Sequence, residues 1–256
     1  MGDELPSLDA HAHLDEARPP EEFAQCGFVL AQTLSLAQAE RAAGRADPQI
    51  VWSVGCHPRL ARAQSMFSPA ELERLVAGTP VIGEVGLDSG SRVARELQLQ
   101  TFRAILDRAR TDVRIVSIHS FRSTGAMLDE LEHRPIAAPV LHWWTGRSDE
   151  TKRAVRLGCY FSIHSAVARW SIFHSHVPVD RLLIESDHGE SDPPAAIPLR
   201  VGWVEHLLGQ RYALTPVEVR EVGWRNLSRL ADLTGTTQLF PALFQQELGK
   251  TDRRSD

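Results

Sequence analysis

Eight short runs of apolar and β-branched residues recur along the chain, and each is followed by polar, glycine or proline residues and then by a helix-like segment. This alternation favours a parallel sheet with crossover helices. Eight strand–helix units in about 240 residues predict an α/β fold, a single (β/α)8 TIM barrel with its active site at the carboxyl-terminal ends of the strands. A doubly wound open sheet is the alternative. The predicted strands are residues 8–12, 28–34, 50–55, 81–85, 113–118, 138–143, 159–163 and 181–185.

Length and composition indicate one globular domain. The chain has 256 residues, of which 43% are hydrophobic, and no linker-like stretch interrupts it. We therefore expect one barrel domain over residues 1–244 and a polar, disordered tail over residues 245–256.

Three widely spaced cysteines without a CxxC motif predict a reducing compartment. Since there is no signal peptide and no apolar run of about 18 residues, we expect a cytoplasmic protein without a membrane segment.

The first strand carries two histidines in the sequence LDAHAHL. Side chains at positions i and i+2 of a strand project from the same face, so His11 and His13 aim two imidazoles at one point and can bind one metal ion. Taken alone, the motif is equally compatible with a surface loop in which neither histidine binds anything.

Further ligand-type residues stand at or near the ends of later strands, namely Glu84, His119, His142 and Asp187. In a barrel they converge with His11 and His13 on one mouth. Four imidazoles and two carboxylates suit divalent transition metals, and they suffice for two ions if Glu84 bridges them. Each residue taken singly is more simply a buried histidine or one partner of an ion pair. The six together would be a costly coincidence, because each buried polar group needs a partner.

Two more histidines, His57 in GCHP and His164 in FSIHS, also stand at strand ends. Either can contact substrate or merely line the rim of the site. His57 is the better candidate for a substrate contact.

Together these motifs resemble the TatD family of metal-dependent deoxyribonucleases, a branch of the amidohydrolase-like barrels. The resemblance follows the chain in order through DAHAHLD, GCHP, GEVGLD, IHS, LHWWTG, LLIESD and RNLSRL. It implies that His11, His13 and Asp187 hold one metal ion. It further implies that His119 and His142 hold a second ion and that Glu84 bridges the two. The ions would be Mg²⁺ or Mn²⁺, with Zn²⁺ as a further candidate, and the implied activity is removal of nucleotides from DNA 3′ ends.

The implied chemistry agrees with the residues. Two adjacent divalent ions lower the pKa of a bound water and stabilise charge on the attacking and leaving oxygens of a phosphodiester. Glu84 and Asp187 are therefore the predicted catalytic residues, Glu84 as the bridge and Asp187 by orienting the water or accepting its proton.

Three segments depart from the family pattern. The sequence IHSFRST places Arg122 one position later than the arginine that commonly follows His-Ser, HWWTG replaces HCFTG, and ESDHG replaces ETDAP. These changes affect substrate contacts more than metal ligands. LHWWTG followed by LGCYFSI also resembles a subgroup of shorter TatD-like proteins, some of them encoded in bacterial anti-phage defence operons such as the Qat system, which implies partner proteins.

Arginines follow the predicted strand ends, at Arg59, Arg62, Arg92, Arg95, Arg122, Arg147 and Arg169. A basic rim on a chain of net charge −5 is what binding of a phosphate backbone requires. Trp143, Trp144 and Trp170 can stack on unpaired bases, although core packing is expected for at least one of the adjacent pair, whose side chains alternate faces. The predicted substrate-binding residues are His57, Arg59, Arg122 and Trp144.

These features predict a metal-dependent hydrolase of DNA phosphodiester bonds that acts as a 3′ to 5′ exonuclease on single-stranded ends, with a water activated by two metals. The alternative is an amidohydrolase-type hydrolase of a small amide, lactone or ester, because the same metal pair can attack a carbonyl. An open cationic groove would favour the nuclease, and a closed pocket would favour the alternative. A non-catalytic scaffold is a third hypothesis, against which the full set of costly polar groups argues.

Overall fold

The computed structural model describes residues 4–168 and 176–252, so the predictions for Arg169, Trp170 and residues 253–256 lie outside the described residues. Eight parallel strands alternate with helices in the described ranges, and each overlaps one of the predicted runs. The strands are β1 (Leu8–Ala12), β2 (Phe28–Ala31), β3 (Ile50–Trp52), β4 (Val81–Gly86), β5 (Ile115–His119), β6 (Ala138–Leu141), β7 (Tyr160–Ile163) and β8 (Leu182–Ile184).

Two seams close these strands into a barrel. Ladder hydrogen bonds order them as β1-β2-β3 and as β4-β5-β6-β7-β8. A bridge between Val54 and Ile82 joins the β3 side to β4. The N–H of Asp187, just after β8, donates to the carbonyl of His11 on β1 at 3.0 Å. The (β/α)8 barrel is therefore confirmed, and the open sheet is wrong.

Helices surround the barrel, and their apolar faces pack on it. Phe102, Ile105 and Leu106, spaced at the helical period, are fully buried and hold their helix against the strands. The helices are α1 (Leu36–Ala42), α2 (Ala61–Ser65), α3 (Pro69–Val76), α4 (Arg95–Thr111), α5 (Thr124–His133), α6 (Ser148–Arg156), α7 (Ser165–Ala168), α8 (Ile197–Tyr212), α9 (Pro216–Thr234) and α10 (Ala242–Asp252). Among the described residues, none of these helices combines the length and the hydropathy needed to cross a bilayer.

The last two helices close the amino-terminal end of the barrel with apolar side chains. Trp224 of α9 and Phe244 of α10 pack edge to face on Phe28 of β2, with ring centroids 5.2 and 4.8 Å from it. They belong to a buried cluster with members from all eight strands. The predicted disordered tail is wrong for residues 245–252, because Phe244 and Leu248 give this segment an apolar side that the barrel buries.

All three cysteines, which lie in the described ranges, are buried and free of disulfide bonds. Burial raises the pKa of each thiol, Cys26, Cys56 and Cys159, to about 12. The thiols therefore stay protonated at neutral pH and contribute to packing rather than to reactivity.

Candidate metal centre

A buried carboxylate, that of Glu84 on β4, lies among histidines at the carboxyl-terminal end of the barrel. Its Oε1 is 2.6 Å from Nδ1 of His119 and 3.5 Å from Nε2 of His142. Its Oε2 is 3.2 Å from Nε2 of His13 and 3.4 Å from Nε2 of His11. The two oxygens of one carboxylate therefore face two different groups of imidazoles.

Asp187, which follows β8, joins the group at Oε2 of Glu84. Its Oδ1 is 3.5 Å from Nε2 of His13 and 3.8 Å from Nε2 of His11. Its φ of 44° lies in the left-handed region, which non-glycine residues rarely adopt outside special sites. The structure thus brings all six predicted ligands together. The side chain of Asp187 is 20% exposed, against 1% for Glu84, so solvent reaches the Asp187 carboxylate.

Each of the four histidines is also held through its other ring nitrogen. The pairs are His11 Nδ1 with Ser117 Oγ at 2.9 Å, His13 Nδ1 with the Gln32 carbonyl at 3.0 Å, His119 Nε2 with Asp88 Oδ2 at 3.0 Å, and His142 Nδ1 with Glu185 Oε2 at 3.0 Å. Carbonyl and carboxylate oxygens only accept, so the neutral rings of His13, His119 and His142 donate outward and point a lone pair at the centre, whereas the hydroxyl of Ser117 can either donate to or accept from His11. Metal-binding histidines in proteins are held in this way.

When the imidazoles are neutral, as metal binding requires, the lone pairs of His13, His119 and His142 face the carboxylate oxygens of Glu84, so acceptors face acceptors. Neither oxygen of Glu84, nor Nε2 of His11, has a hydrogen-bond partner among residues 4–168 and 176–252, although both side chains are buried. The lone pair of His13 likewise faces carboxylate oxygens of Glu84 and Asp187 at 3.2 and 3.5 Å. Unpaired buried polar atoms cost free energy, which a cation among them removes. The donor set of imidazole nitrogens and carboxylate oxygens therefore fits a divalent metal.

The same arrangement shifts the pKa values of the buried groups. Burial by itself would lower the pKa of His142, but Glu185 and Glu84 outweigh burial and raise the pKa to about 10. Burial, together with His142, lowers the pKa of His11 to about 4 although Glu84 opposes this. Burial would raise the pKa of Glu84, and the surrounding imidazoles instead hold it well below its ordinary value. The site therefore keeps a negative charge at its centre.

His57 differs from the four histidines above. Its Nδ1 accepts the N–H of Arg59 at 3.1 Å, so the proton of the neutral ring lies on Nε2. That Nε2 is 3.3 Å from Oε1 of Glu84. His57 thus presents a hydrogen-bond donor instead of a lone pair, which suits contact with a substrate oxygen better than metal ligation.

These groups border a cavity of about 580 Å³, here named the site cavity, whose wall also includes Arg59, Phe121, Trp143 and Thr145. Trp143, with a φ of 44°, stacks on His164 with ring centroids 4.0 Å apart. Phe121 is 48% exposed. Two aromatic side chains therefore flank the entrance to the carboxylate and the histidines.

Two of the predicted substrate-binding residues lie elsewhere. Trp144 is buried, packs against Phe161 and donates its Nε1–H to Oγ1 of Thr151 at 2.9 Å, so its prediction as a substrate contact is wrong. The adjacent Trp143 borders the site cavity in its place. Arg122 is exposed, but it lines a neighbouring cavity. His57 and Arg59 do border the site cavity, and Nε of Arg59 is 3.5 Å from Oδ2 of Asp88.

Sequence reasoning missed Asp88 and Glu185, the two carboxylates that hold His119 and His142. Both are buried. Both also stand inside motifs that the sequence displays, GEVGLD and LLIESD. An acidic residue in an apolar run at a strand end needs a buried partner, and the histidines of neighbouring strands were available as that partner.

A closed parallel barrel with imidazoles and carboxylates gathered at the carboxyl-terminal ends of its strands defines a class, the metal-dependent hydrolases built on a TIM barrel. The family model of the TatD related DNases matches residues 8–231. This chain belongs to the TatD family.

Individual relatives agree with that assignment. The chain is 30% identical over 171 residues to a 3′-5′ ssDNA/RNA exonuclease TatD from Edwardsiella piscicida, and the match spans 61% of this chain and 62% of that protein's length. It is 26% identical over 260 residues to an uncharacterised metal-dependent hydrolase TatD from Mycobacterium tuberculosis, spanning 87% and 96%. The crystal structure of YJJV, a TatD homologue from Escherichia coli K12, has a TM-score of 0.72 at 19% identity, covering 87% of this chain and 97% of that one. This last likeness shows the shared fold.

Proposed function

We propose that this protein is a metal-dependent nuclease that hydrolyses DNA phosphodiester bonds and removes nucleotides from single-stranded 3′ ends. The observation that carries the proposal is the division of the Glu84 carboxylate. Its Oε1 faces one pair of histidines, and its Oε2 faces the pair from β1. A carboxylate that presents each oxygen to its own nitrogen ligands is suited to bridge two ions.

His11, His13 and Asp187 would hold one ion together with Oε2 of Glu84. His119 and His142 would hold the other together with Oε1 of Glu84. We propose Mg²⁺ or Mn²⁺, with Zn²⁺ as the alternative that the imidazoles favour. When bound, two divalent ions lower the pKa of water and neutralise charge on the scissile phosphate.

Side chains of the protein supply the remaining steps. Asp187, the more exposed carboxylate, accepts the proton of the attacking water on a carboxylate oxygen and returns it to the sugar oxygen that leaves when the P–O bond breaks. His57 donates its Nε2–H to a phosphate oxygen, and the guanidinium of Arg59 at the rim offsets phosphate charge. The ordered partners of the histidines keep their lone pairs aimed at the centre during the reaction.

The rim of the site cavity supports an unpaired nucleic acid strand as the substrate. Phe121 and Trp143 offer aromatic side chains on which unpaired bases can stack, whereas bases inside a duplex are already stacked. The relative from Edwardsiella piscicida carries the name of a 3′-5′ ssDNA/RNA exonuclease, which supports the same polarity here. Work with partner proteins in anti-phage defence is a further part of this proposal and rests on the resemblance of LHWWTG and LGCYFSI to the Qat subgroup.

The test is degradation of 3′- and 5′-labelled single-stranded DNA by purified protein in Mg²⁺ or Mn²⁺, beside an EDTA control and the Glu84→Gln variant. We expect stepwise loss from the 3′ end that is absent in both controls. Glu130→Gln, which changes a carboxylate that accepts hydrogen bonds from Arg103 and Arg134, should cleave as the wild type does.

An intact DNA substrate after incubation with wild-type protein shown by elemental analysis to hold two ions would contradict the nuclease. Turnover of a lactone, ester or amide by the same preparation would then establish the small-molecule hydrolase in its place.

A further inference from the structure

A second cavity, about 510 Å³ in volume, lies beside the site cavity and shares Phe121 and Thr145 with it. Three arginines from separate segments line it, namely Arg95 at the start of α4, Arg122 after β5 and Arg147 before α6. We name it the arginine cavity. None of the roles assigned above to the metal centre uses Arg95 or Arg147.

The arginine cavity carries positive charge that the protein does not fully offset. Arg147 forms ion pairs at 3.3 Å with Asp149 and at 3.5 Å with Glu150, a carboxylate that also lines the cavity. Arg95 and Arg122, by contrast, form no ion pair with any carboxylate in the part of the chain that the structure describes. Two guanidinium groups at one cavity thus have unneutralised charge for an anionic ligand.

Neutral groups hold both of these arginines in place. Nη1 of Arg95 donates to Oγ of Ser123 at 3.1 Å. The guanidinium carbon of Arg122 lies 5.1 Å from the ring centroid of Phe121, and the φ of Arg122 is 50°. These contacts order the two side chains and leave most of their N–H donors free, because each guanidinium carries five.

The amino end of α5 adds backbone donors to the arginine cavity. Ser123 precedes the helix without capping it, because its Oγ lies 2.7 Å from Oγ of Ser89 and receives the Arg95 bond. Residues 124–126, the first turn of α5, line the cavity. N–H groups in a first turn have no partner within the helix, and the helix dipole is positive at that end.

The arginine cavity adjoins the metal centre. Phe121, in the shared wall, is two residues beyond His119. Ser89, also in the wall, directly follows Asp88, the carboxylate that holds His119 at 3.0 Å. Because the two cavities share Phe121 and Thr145, they adjoin each other, so a strand with one phosphate at the metal centre can place a neighbouring phosphate in the arginine cavity.

We propose that the arginine cavity binds a second phosphate of the substrate, adjacent along the strand to the phosphate that is hydrolysed at the metal centre. This inference rests on the proposed nuclease function. It means that the protein selects substrates with two neighbouring phosphates over a lone phosphodiester. An internal backbone phosphate and a terminal phosphate share this chemistry, and the experiment separates them.

The experiment compares kcat/KM for d(TpT), which has one phosphate, with d(TpTpT), d(pTpT) and d(TpTp), which have two. We expect the second phosphate to raise kcat/KM about 10- to 100-fold in the wild type, the range for charge-assisted hydrogen bonds. The ratio should fall to about 1 in the Arg95→Gln/Arg122→Gln variant. It should stay unchanged in Arg110→Gln, an exposed arginine at the opposite end of α4. The two-phosphate substrate that shows the gain identifies the phosphate as internal, 5′-terminal or 3′-terminal.

A ratio near 1 in the wild type, or one that persists in the double variant, overturns the inference while cleavage of d(TpT) leaves the proposed function standing. If no substrate is cleaved, the proposed function fails and binding decides the inference separately. Fluorescein-labelled d(TpTpT) is then titrated into the metal-loaded proteins at several salt concentrations. The slope of log K against log salt should be smaller in the double variant by about 0.7 for each lost phosphate contact, and equal slopes would refute the cavity's role. Thermal unfolding midpoints verify that both variants fold.

Discussion

The two ends of the barrel interior differ in how their buried groups are satisfied. At the amino-terminal end, Trp224 is fully buried between Phe28 and Phe244, and its indole N–H donates to the carbonyl of Pro6 at 2.8 Å. At the carboxyl-terminal end, Glu84 is equally buried, yet both of its carboxylate oxygens lack a hydrogen-bond partner among the described residues. The buried indole at the amino-terminal end has its hydrogen-bond partner within the protein, whereas the buried carboxylate at the carboxyl-terminal end needs a cation.

This difference separates stability from function. Apolar burial at the amino-terminal end lowers the free energy of the folded chain without any ligand. The buried polar groups at the carboxyl-terminal end cost free energy in the chain alone, and ligands that bind only the folded state offset that cost. Substitutions at the carboxyl-terminal end should therefore lower activity, and substitutions at the amino-terminal end should lower the free energy of unfolding.

The largest effect is expected for Glu84→Gln. An amide cannot bridge two cations as a carboxylate does, so kcat should fall by at least about 10³-fold, equivalent to the several kcal/mol that metal ions contribute. Wild-type protein should also lose thermal stability when EDTA removes its ions, whereas the variant should unfold at the same temperature with and without EDTA. Steady-state kinetics, elemental analysis and calorimetry measure these quantities. Wild-type turnover in a variant that still holds two ions would disprove the bridging role.

A large loss of stability with little change in kcat is expected for Trp224→Ala at the amino-terminal end. Loss of a fully buried indole and its hydrogen bond should lower the free energy of unfolding by about 3–5 kcal/mol. The kcat of the folded fraction should change less than about twofold, because the site lies at the other end. Urea unfolding, with activity measured below the transition, checks both. Leu233→Ala on the same helix, where the side chain is 53% exposed, is the control and should cost under about 0.5 kcal/mol. A large loss of kcat at unchanged stability would contradict the division between the ends.

An intermediate effect is expected for Glu185→Gln. The carboxylate of Glu185 accepts from Nδ1 of His142 at 3.0 Å, and an amide supports the imidazole less strongly. Metal affinity should fall about 10- to 100-fold, as for other partners that orient metal ligands. Competition with a chelating indicator measures the affinity. Glu205→Gln, at a buried carboxylate paired with Arg220 at 2.7 Å, should leave metal affinity unchanged. Equal losses of affinity in both variants would indicate general destabilisation instead.

The smallest effect is expected for Glu130→Gln, a carboxylate satisfied by the protein alone. Hydrogen bonds from Arg103 outweigh partial burial and, with the charge of Arg134, hold the pKa of Glu130 below its ordinary 4.5. A lowered folded-state pKa stabilises the protein above pH 4.5, and this contribution disappears as the pH falls through the lowered value. The substitution should therefore cost about 1 kcal/mol at neutral pH and almost nothing in strong acid, as chemical unfolding at several pH values would show. If the difference in free energy of unfolding between the wild type and the variant grew on acidification, it would contradict this prediction.

Much of the fold and of the metal centre could be predicted from the sequence. Each strand is a local apolar run, and the carboxyl-terminal ends of parallel strands meet at one edge whatever the details of packing. His11 and His13 share a face for the same local reason. Glu84, His119, His142 and Asp187 followed from their positions at strand ends, so spacing alone sufficed to bring the six predicted ligands together.

Only the tertiary structure decided which neighbouring residues act with them. Trp143 borders the site cavity and Trp144 enters the core because the backbone leaves the strand conformation at Trp143, where φ is 44°. Residues 245–252 form a helix because Phe244 and Leu248 are buried in a cluster contributed by distant strands, which no local pattern reveals. Asp88 and Glu185 pair with histidines 31 and 43 residues away in sequence.

The sequence by itself determined the periodic features of this protein, which are the eight strands and the positions of the six predicted ligands at their ends, whereas closure of the barrel was decided by tertiary contacts between the first and last strands and between the third and fourth. The tertiary structure decided which groups hold those residues, which aromatic side chains border the site cavity, how the arginine cavity forms and that residues 245–252 are helical. The physical reason is the distance along the sequence over which each kind of interaction acts. Strand formation and side-chain alternation depend on residues a few positions apart, whereas buried hydrogen bonds and packing depend on which distant segments the closed barrel brings into contact.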